Sequence, residues 1–198
     1  MHLAGVYQYV PVMHALGQLL DAHVMSDVRF SGPELAWTST NWLAAMMGDP
    51  YLMSKMAHFG LHSYQGLSYD STGVYDFIQQ SAYPSRPFWM TEFGVWCWTC
   101  EGGTAGDGSW AYARGTASAL IKHLANGASA GVVWDGYDSQ YPGYNATTGE
   151  SEPATSWSYW GLFGVDNINA ATKTYTARKQ FYTVSQISRF VRPGAQRI

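Results

Sequence analysis

The chain has 198 residues, enough for one domain with a sizeable core, and a formal net charge of −3 with only 13% charged residues. That balance offers no basic footprint for nucleic acid, no Lys/Arg run for a membrane surface and nothing to attract a polyanion. No apolar run approaches the ~20 residues of a membrane span, and no basic segment followed by an apolar stretch marks a signal peptide, so localisation stays open.

Residues 7–23 predict an amphipathic helix, with Pro11 tolerated in its first turns and Val10, Met13, Leu16 and Leu20 in one stripe. Asp27 to Pro33 then reads as a short strand stopped by Gly32-Pro33. A helix over about 41–47 follows, and Asp49-Pro50 caps and starts another, to about Ala57. Phe59 to Tyr64 is the second strand, Val74 to Ala82 a helix, and Phe88 to Glu92 the third strand. Trp110 to Asn126 carries Ala, Leu and Ile at helical spacing, and Ala128 to Asp135 is the fourth strand. The stretch from Gly136 to Ser158, rich in Tyr, Gly and Ser, reads as a long functional loop. Trp160 to Val165 suggests a short strand, and Thr176 to Val191 the final helix, stopped by Arg192-Pro193-Gly194.

Strands alternating with helices at this spacing predict βαβ units in a parallel sheet. Four strands make half of a (β/α)8 barrel, whose full form takes ~250 residues. The whole of residues 1–198 is therefore expected to be a single half-barrel domain.

The pivotal stretch is Arg86-Pro87-Phe88-Trp89-Met90-Thr91-Glu92-Phe93-Gly94, an apolar strand that ends in a carboxylate. At the C-terminal tip of a parallel barrel strand, an acid meets substrate; in a plain sheet it would only begin a polar loop. The composition favours the first reading, since aromatics reach 16%, with nine Trp and fourteen Tyr. Flat rings beyond what a core requires suit the apolar C–H faces of sugars.

Cys97 and Cys100 form a Cys-x-x-Cys. A zinc site would need two further ligands, and no second Cys pair exists. The sequence continues into Glu101-Gly102-Gly103 instead of opening a helix, so a local disulfide or two free thiols is favoured over metal or redox chemistry. No metal or cofactor is expected. Asn145-Ala146-Thr147 is a formal glycosylation sequon, relevant only to a secreted chain.

Four segments taken together resemble a known group: His62-Ser63-Tyr64, Trp89-Met90-Thr91-Glu92-Phe93, Val133-Trp134-Asp135 and the closing Ile187-Ser188-Arg189-Phe190-Val191-Arg192-Pro193-Gly194-Ala195. In that order and spacing they are similar to the back half, strands five to eight, of the retaining glycoside hydrolases of clan A, with family 30 nearest and families 39 and 5 as neighbours. The resemblance implies cleavage of β-linked glycans, with Glu92 as the nucleophile on the seventh strand. It also implies that His62 and Tyr64 line the site from the sixth strand, the Tyr hydroxyl bonding the nucleophile, and that Trp134 forms the floor under the sugar. A core histidine and plain barrel packing are the competing readings of His62 and Trp134. Trp96 and Tyr137, in the loops after the third and fourth strands, complete the expected sugar-binding set.

One element of the group's pattern is missing. Retaining chemistry takes two carboxyl groups roughly 5 to 5.5 Å apart, and the Asn-Glu pair that supplies the acid/base in clan A occurs nowhere in the chain. Glu34, after Gly-Pro on the first strand, lies where the group has no catalytic residue and reads mainly as a satisfied surface carboxylate, with a substitute acid as the lesser reading. A half-barrel also leaves two strand edges unpaired, and a second copy joined through the first and fourth strands would close it. In such a homodimer Asp135, or Asp138 beyond it, would approach Glu92 of the other subunit and replace the lost acid. A carbohydrate-binding half-barrel without turnover, and a purely structural one, are the alternatives from other classes.

Overall fold

The computed structural model describes residues 5–36, 40–64, 71–96, 110–137, 140–144, 151–157, 160–166, 172 and 174–196. Its centre is a four-stranded sheet of β1 (Phe30–Leu35), β2 (Met56–Ser63), β3 (Phe88–Phe93) and β4 (Ala130–Val133). The strands lie side by side in chain order and every pairing is parallel. This is the predicted architecture, a partial (β/α) barrel.

Side-chain alternation explains which face is covered. Phe59, Leu61 and Ser63 of β2 point to one face and are buried, as are Phe88 and Met90 of β3. Against them pack Leu43 and Met46 of α2 (Thr40–Met47), Leu52 and Met53 of α3 (Pro50–Lys55), Val74 and Ile78 of α4 (Thr72–Gln79), and Ala119 and Leu120 of α5 (Trp110–Ala125). The other face carries Ser31, His58, His62, Thr91 and the half-exposed Val132. β1 and β4 are the two edges of this sheet.

The first helix, α1 (Val6–Ala22), buries the expected stripe except at one position. Val10, Met13 and Leu20 face the core, but Leu16 is exposed and Gly17 is buried in its place. The Tyr51 ring of α3 lies over Gly17, so close that a Cβ there would stand 3.1 Å from Tyr51 Cε1. The same helix pair is clipped by Asp21, which accepts from the buried Lys55 ammonium and, at 2.6 Å, from the Tyr51 hydroxyl. Asp49 caps α3 as predicted, its Oδ1 accepting from Leu52 N at 2.9 Å.

Three sequence expectations change. Gly32-Pro33 does not stop the first strand; the bond is cis and β1 runs on to Leu35. Proline is tolerated there because β1 is an edge strand. The stretch 136–158 contains an antiparallel hairpin, β5 (Gln140–Tyr144) with β6 (Ser151–Trp157). The final helix, α6 (Lys179–Phe190), starts later than Thr176, because Thr174-Tyr175-Thr176 forms β8 (Thr174–Ala177) paired to β7 (Phe163–Asp166). β-Branched and aromatic residues at that helix's expected start favour the pleated backbone. Among the described residues no helix is long and apolar enough to cross a membrane.

Candidate active site

Two bulges at the C-terminal ends of the strands bring the polar residues together. Between β2 and β3 the register steps from Leu61↔Met90 to His62↔Glu92, so Thr91 is the extra residue and Glu92 faces His62 directly. Between β1 and β2 it steps from Pro33↔Gly60 to Leu35↔Leu61, leaving Glu34 unpaired with a left-handed backbone, φ 56°. That bulge turns the Glu34 carboxylate onto β2, where Gly60 leaves it room. A Cβ on Gly60 would fall on Glu34 Oε1 and stand 2.7 Å from Ser31 Oγ.

The resulting chain of contacts runs across three strands. Ser31 Oγ donates to Glu34 Oε1, and Thr91 Oγ1 donates to Glu34 Oε2. His62 Nε2 lies 3.1 Å from Glu34 Oε2, and its Nδ1 lies 3.7 Å from Glu92 Oε2. The Tyr64 hydroxyl donates to Glu92 Oε1. The Glu92 side chain keeps 25% of its surface open, so a solute can reach it.

Burial alone would push the Glu34 carboxyl up, but hydrogen bonds from His62, Ser31 and Thr91 outweigh it and hold Glu34 down at about 2. The His62 imidazole is raised, chiefly by its hydrogen bond to Glu34, against burial and with help from the Glu92 and Glu34 charges. The folded value for Glu34 lies below the unfolded one. Its contribution to stability is therefore complete above the ordinary carboxylate range near 4.5 and is lost as pH falls through about 2. After discounting for a side chain 36% open to water, the contribution is about 1–2 kcal/mol. Denaturant unfolding at pH 5 and pH 3 is expected to show a larger loss for the natural chain than for Glu34→Gln, and equal losses would refute the assignment.

An aromatic wall stands behind Tyr64. Its ring meets Trp96 edge-on at 5.9 Å and Trp160 at 5.7 Å, and the two indoles lie 5.5 Å apart. Trp160 is fully buried; the buried Gln180 of α6 donates to the carbonyl of Gly161 at 2.8 Å and holds this turn in place. Trp96 is exposed, and Trp134 packs half-buried against the same cluster.

Of the predicted site residues, Glu92, His62 and Tyr64 meet directly, and Trp96 and Trp134 gather around Tyr64. Tyr137 instead pairs edge-on with Tyr175 at 6.2 Å, both rings exposed. Asp135 follows a cis Trp134–Asp135 bond, has a buried Oδ1, and is not a partner of Glu92, whose contacts are Tyr64 and His62. Asp138, Cys97, Cys100, Glu101 and Asn145 lie outside the described residues. The sequence reading missed the parts played by Ser31, Gly60, Thr91, Trp160 and Tyr175; Glu34 is the satisfied, solvent-exposed carboxylate it expected, but the bond from Glu34 to His62 was not foreseen. The one local hint of the Glu34 site is a glycine two residues before His62. Among the described residues no group of three or more His, Cys, Asp or Glu side chains could hold a metal ion.

No protein-family profile matches the chain. No curated protein sequence is significantly similar to it. Solved structures do match. SrfJ from Salmonella typhimurium aligns over 97% of this chain at 16% identity with a TM-score of 0.64. The endo-β1,6-glucanase BT3312 aligns over 94% at 17% identity and 0.57, and the β-porphyranase BpGH86A, of glycoside hydrolase family 86 from the human gut bacterium Bacteroides plebeius, over 92% at 14% and 0.57. This chain spans 39%, 39% and 34% of those three chains. At such identities the likeness establishes the fold alone: part of a (β/α) barrel.

Proposed function

We propose that the chain carries the nucleophile side of a retaining glycoside hydrolase site for β-linked glycans, with Glu92 as the nucleophile. The observation that supports this best is the position of Glu92 at the C-terminal end of an inner parallel strand, accessible, anchored by the Tyr64 hydroxyl and flanked by His62. A Glu92 oxygen would bond to the anomeric carbon as the bond from that carbon to the leaving oxygen breaks. His62, Tyr64, Trp96, Trp134 and Tyr137 would hold the sugar. The resemblance to clan A, and to family 30 within it, belongs to this same proposal.

The leaving oxygen needs a proton from a second carboxyl. Glu34 is unsuited, because the bonds that hold it at about 2 keep it ionised at neutral pH. We assign the donor to Asp135 of a second copy, joined through the β1 and β4 edges so that two half-barrels close one barrel. Light scattering at micromolar concentration is expected to give a dimer, with Asp135→Asn depressing hydrolysis of substrates that have poor leaving groups. A monodisperse monomer, or unchanged hydrolysis, would count against this closure.

An activated aryl 2-deoxy-2-fluoro-β-glycoside tests the nucleophile without needing the acid, since its leaving group departs unprotonated. The expected result is a mass adduct on the peptide containing Glu92. A second reading, glycan binding without turnover, is favoured by the fact that among the described residues Glu92 has no carboxyl partner within its own chain. Binding of a glycan with no adduct would select it, and neither binding nor adduct would leave a structural half-barrel.

A further inference from the structure

We infer that Glu34 is a positioning residue of the cleft: its bond to Nε2 fixes the ring plane of His62 and keeps that ring protonated on both nitrogens, presenting Nδ1–H to Glu92. The inference deepens the hydrolase reading of the same site and rests on it for its purpose, though its geometry stands alone.

The local backbone is arranged around this contact. A non-glycine residue at φ 56° is uncommon and costs free energy, and here it coincides with a bulge that turns the carboxylate onto β2. Gly60 provides the space, and Ser31 and Thr91 each donate to one of the two oxygens. Those hydroxyls fix the plane of the carboxylate. What remains for Glu34 to bond is His62 Nε2, at 3.1 Å.

The protonation state follows from the chemistry of the partners. A neutral imidazole donates from one nitrogen and accepts at the other, whereas an ionised carboxylate only accepts. His62 has a carboxylate oxygen at 3.1 Å from Nε2 and another at 3.7 Å from Nδ1. A neutral ring would turn a lone pair toward one of them. The imidazolium alone offers a proton to each, and its charge offsets two like charges on neighbouring strands.

The groups facing the ring agree with this. Glu34 comes from β1 and Glu92 from β3, with Tyr64 bonded to Glu92. His58, on the same strand, stacks on Trp89 at 3.7 Å and is lowered by burial. Tyr9, whose hydroxyl packs against Gly32, is pushed up to about 12 by burial and the Glu34 charge, and so stays neutral. His62 is the one ionisable base paired with either carboxylate among the described residues.

The test follows the His62 imidazole resonances across pH in the full chain, for the natural protein, Glu34→Gln, Gly60→Ala and Glu92→Gln. Glu34→Gln is expected to lower the His62 midpoint by about one pH unit or more, about tenfold in proton affinity. Gly60→Ala, which keeps every charge but displaces the carboxylate, is expected to lower it in the same direction, and it carries the test if Glu34→Gln fails to fold. Glu34→Asp should recover part of the shift. An unchanged midpoint in folded Glu34→Gln or Gly60→Ala, or a midpoint that moves only in Glu92→Gln, overturns the inference. The readout is a titration, so it is independent of whether Glu92 takes the covalent label; loss of the label with a normal shift would sink the hydrolase reading and leave this one standing.

Discussion

Glu92→Gln is expected to abolish covalent labelling by an activated aryl β-glycoside and to cut any turnover of it by ~10³-fold or more. Glutamine preserves the size of the side chain, its place beside His62 and an oxygen for the Tyr64 hydroxyl, so the fold and the sugar cleft should survive. What it lacks is the anionic oxygen that, in the proposed mechanism, would form the bond to the anomeric carbon. Tyr64→Phe gives the graded comparison: Glu92 remains, one anchoring hydrogen bond is lost, and a fall of ~10–100-fold is expected, since a hydrogen bond to a charged group contributes about 1.5–3 kcal/mol. The measurement is the rate of aryl alcohol release together with intact mass after inhibition. Equal labelling of Glu92→Gln and the natural chain would show that another residue bears the chemistry.

Trp160→Ala is expected to be the most damaging single change outside the strand ends, costing about 3–5 kcal/mol of stability. Trp160 is 1% exposed and is the largest fully buried side chain in the described structure. It supports both Tyr64, 5.7 Å away, and Trp96, 5.5 Å away. Removing the indole opens a cavity directly behind the ring that holds Glu92, so sugar binding should weaken together with stability. Trp160→Phe is expected to cost much less, about 1–2 kcal/mol, because the indole N–H is buried without a hydrogen-bond partner among the described residues and its loss forfeits no bond. Chemical denaturation of the two variants checks the order. A Trp160→Ala chain as stable as Trp160→Phe would mean that the cluster collapses around the gap.

The exposure of Val132 and of the polar residues on the open face of the sheet bears on the same cleft. In a complete barrel that face is interior, and covering it is what the proposed second copy would do. The proposed dimer and the proposed acid are therefore linked: a chain that stays monomeric would bring no Asp135 of a second copy to Glu92.

How much of this is legible in the chain depends on the range of the interaction. Periodicity is local, so apolar spacing is enough to place α1 to α5 and the four parallel strands, the one that bears Glu92 among them. Capping is local too, and Asp49-Pro50 marks α3 without coordinates. Tyr64 and His62 read only as the polar end of the second strand; their place beside Glu92 is implied by the family resemblance and not by spacing.

Contacts that depend on register slips or on distant loops leave no such trace. The bulge that swings Glu34 into the cleft follows Gly32-Pro33, a pair that reads as a stop, and whether an edge strand ends or continues is settled by its pairing with β2. Gly60 looks like a strand weakness until Glu34 is seen to occupy the space beside it. Trp160 follows Tyr64 by almost a hundred positions and reaches it because Gln180 of α6 holds its turn against α5. Hydrophobic spacing reports which face of an element is buried; it carries no information on which residue of another element fills the gap, and that pairing alone joins Glu34 to His62.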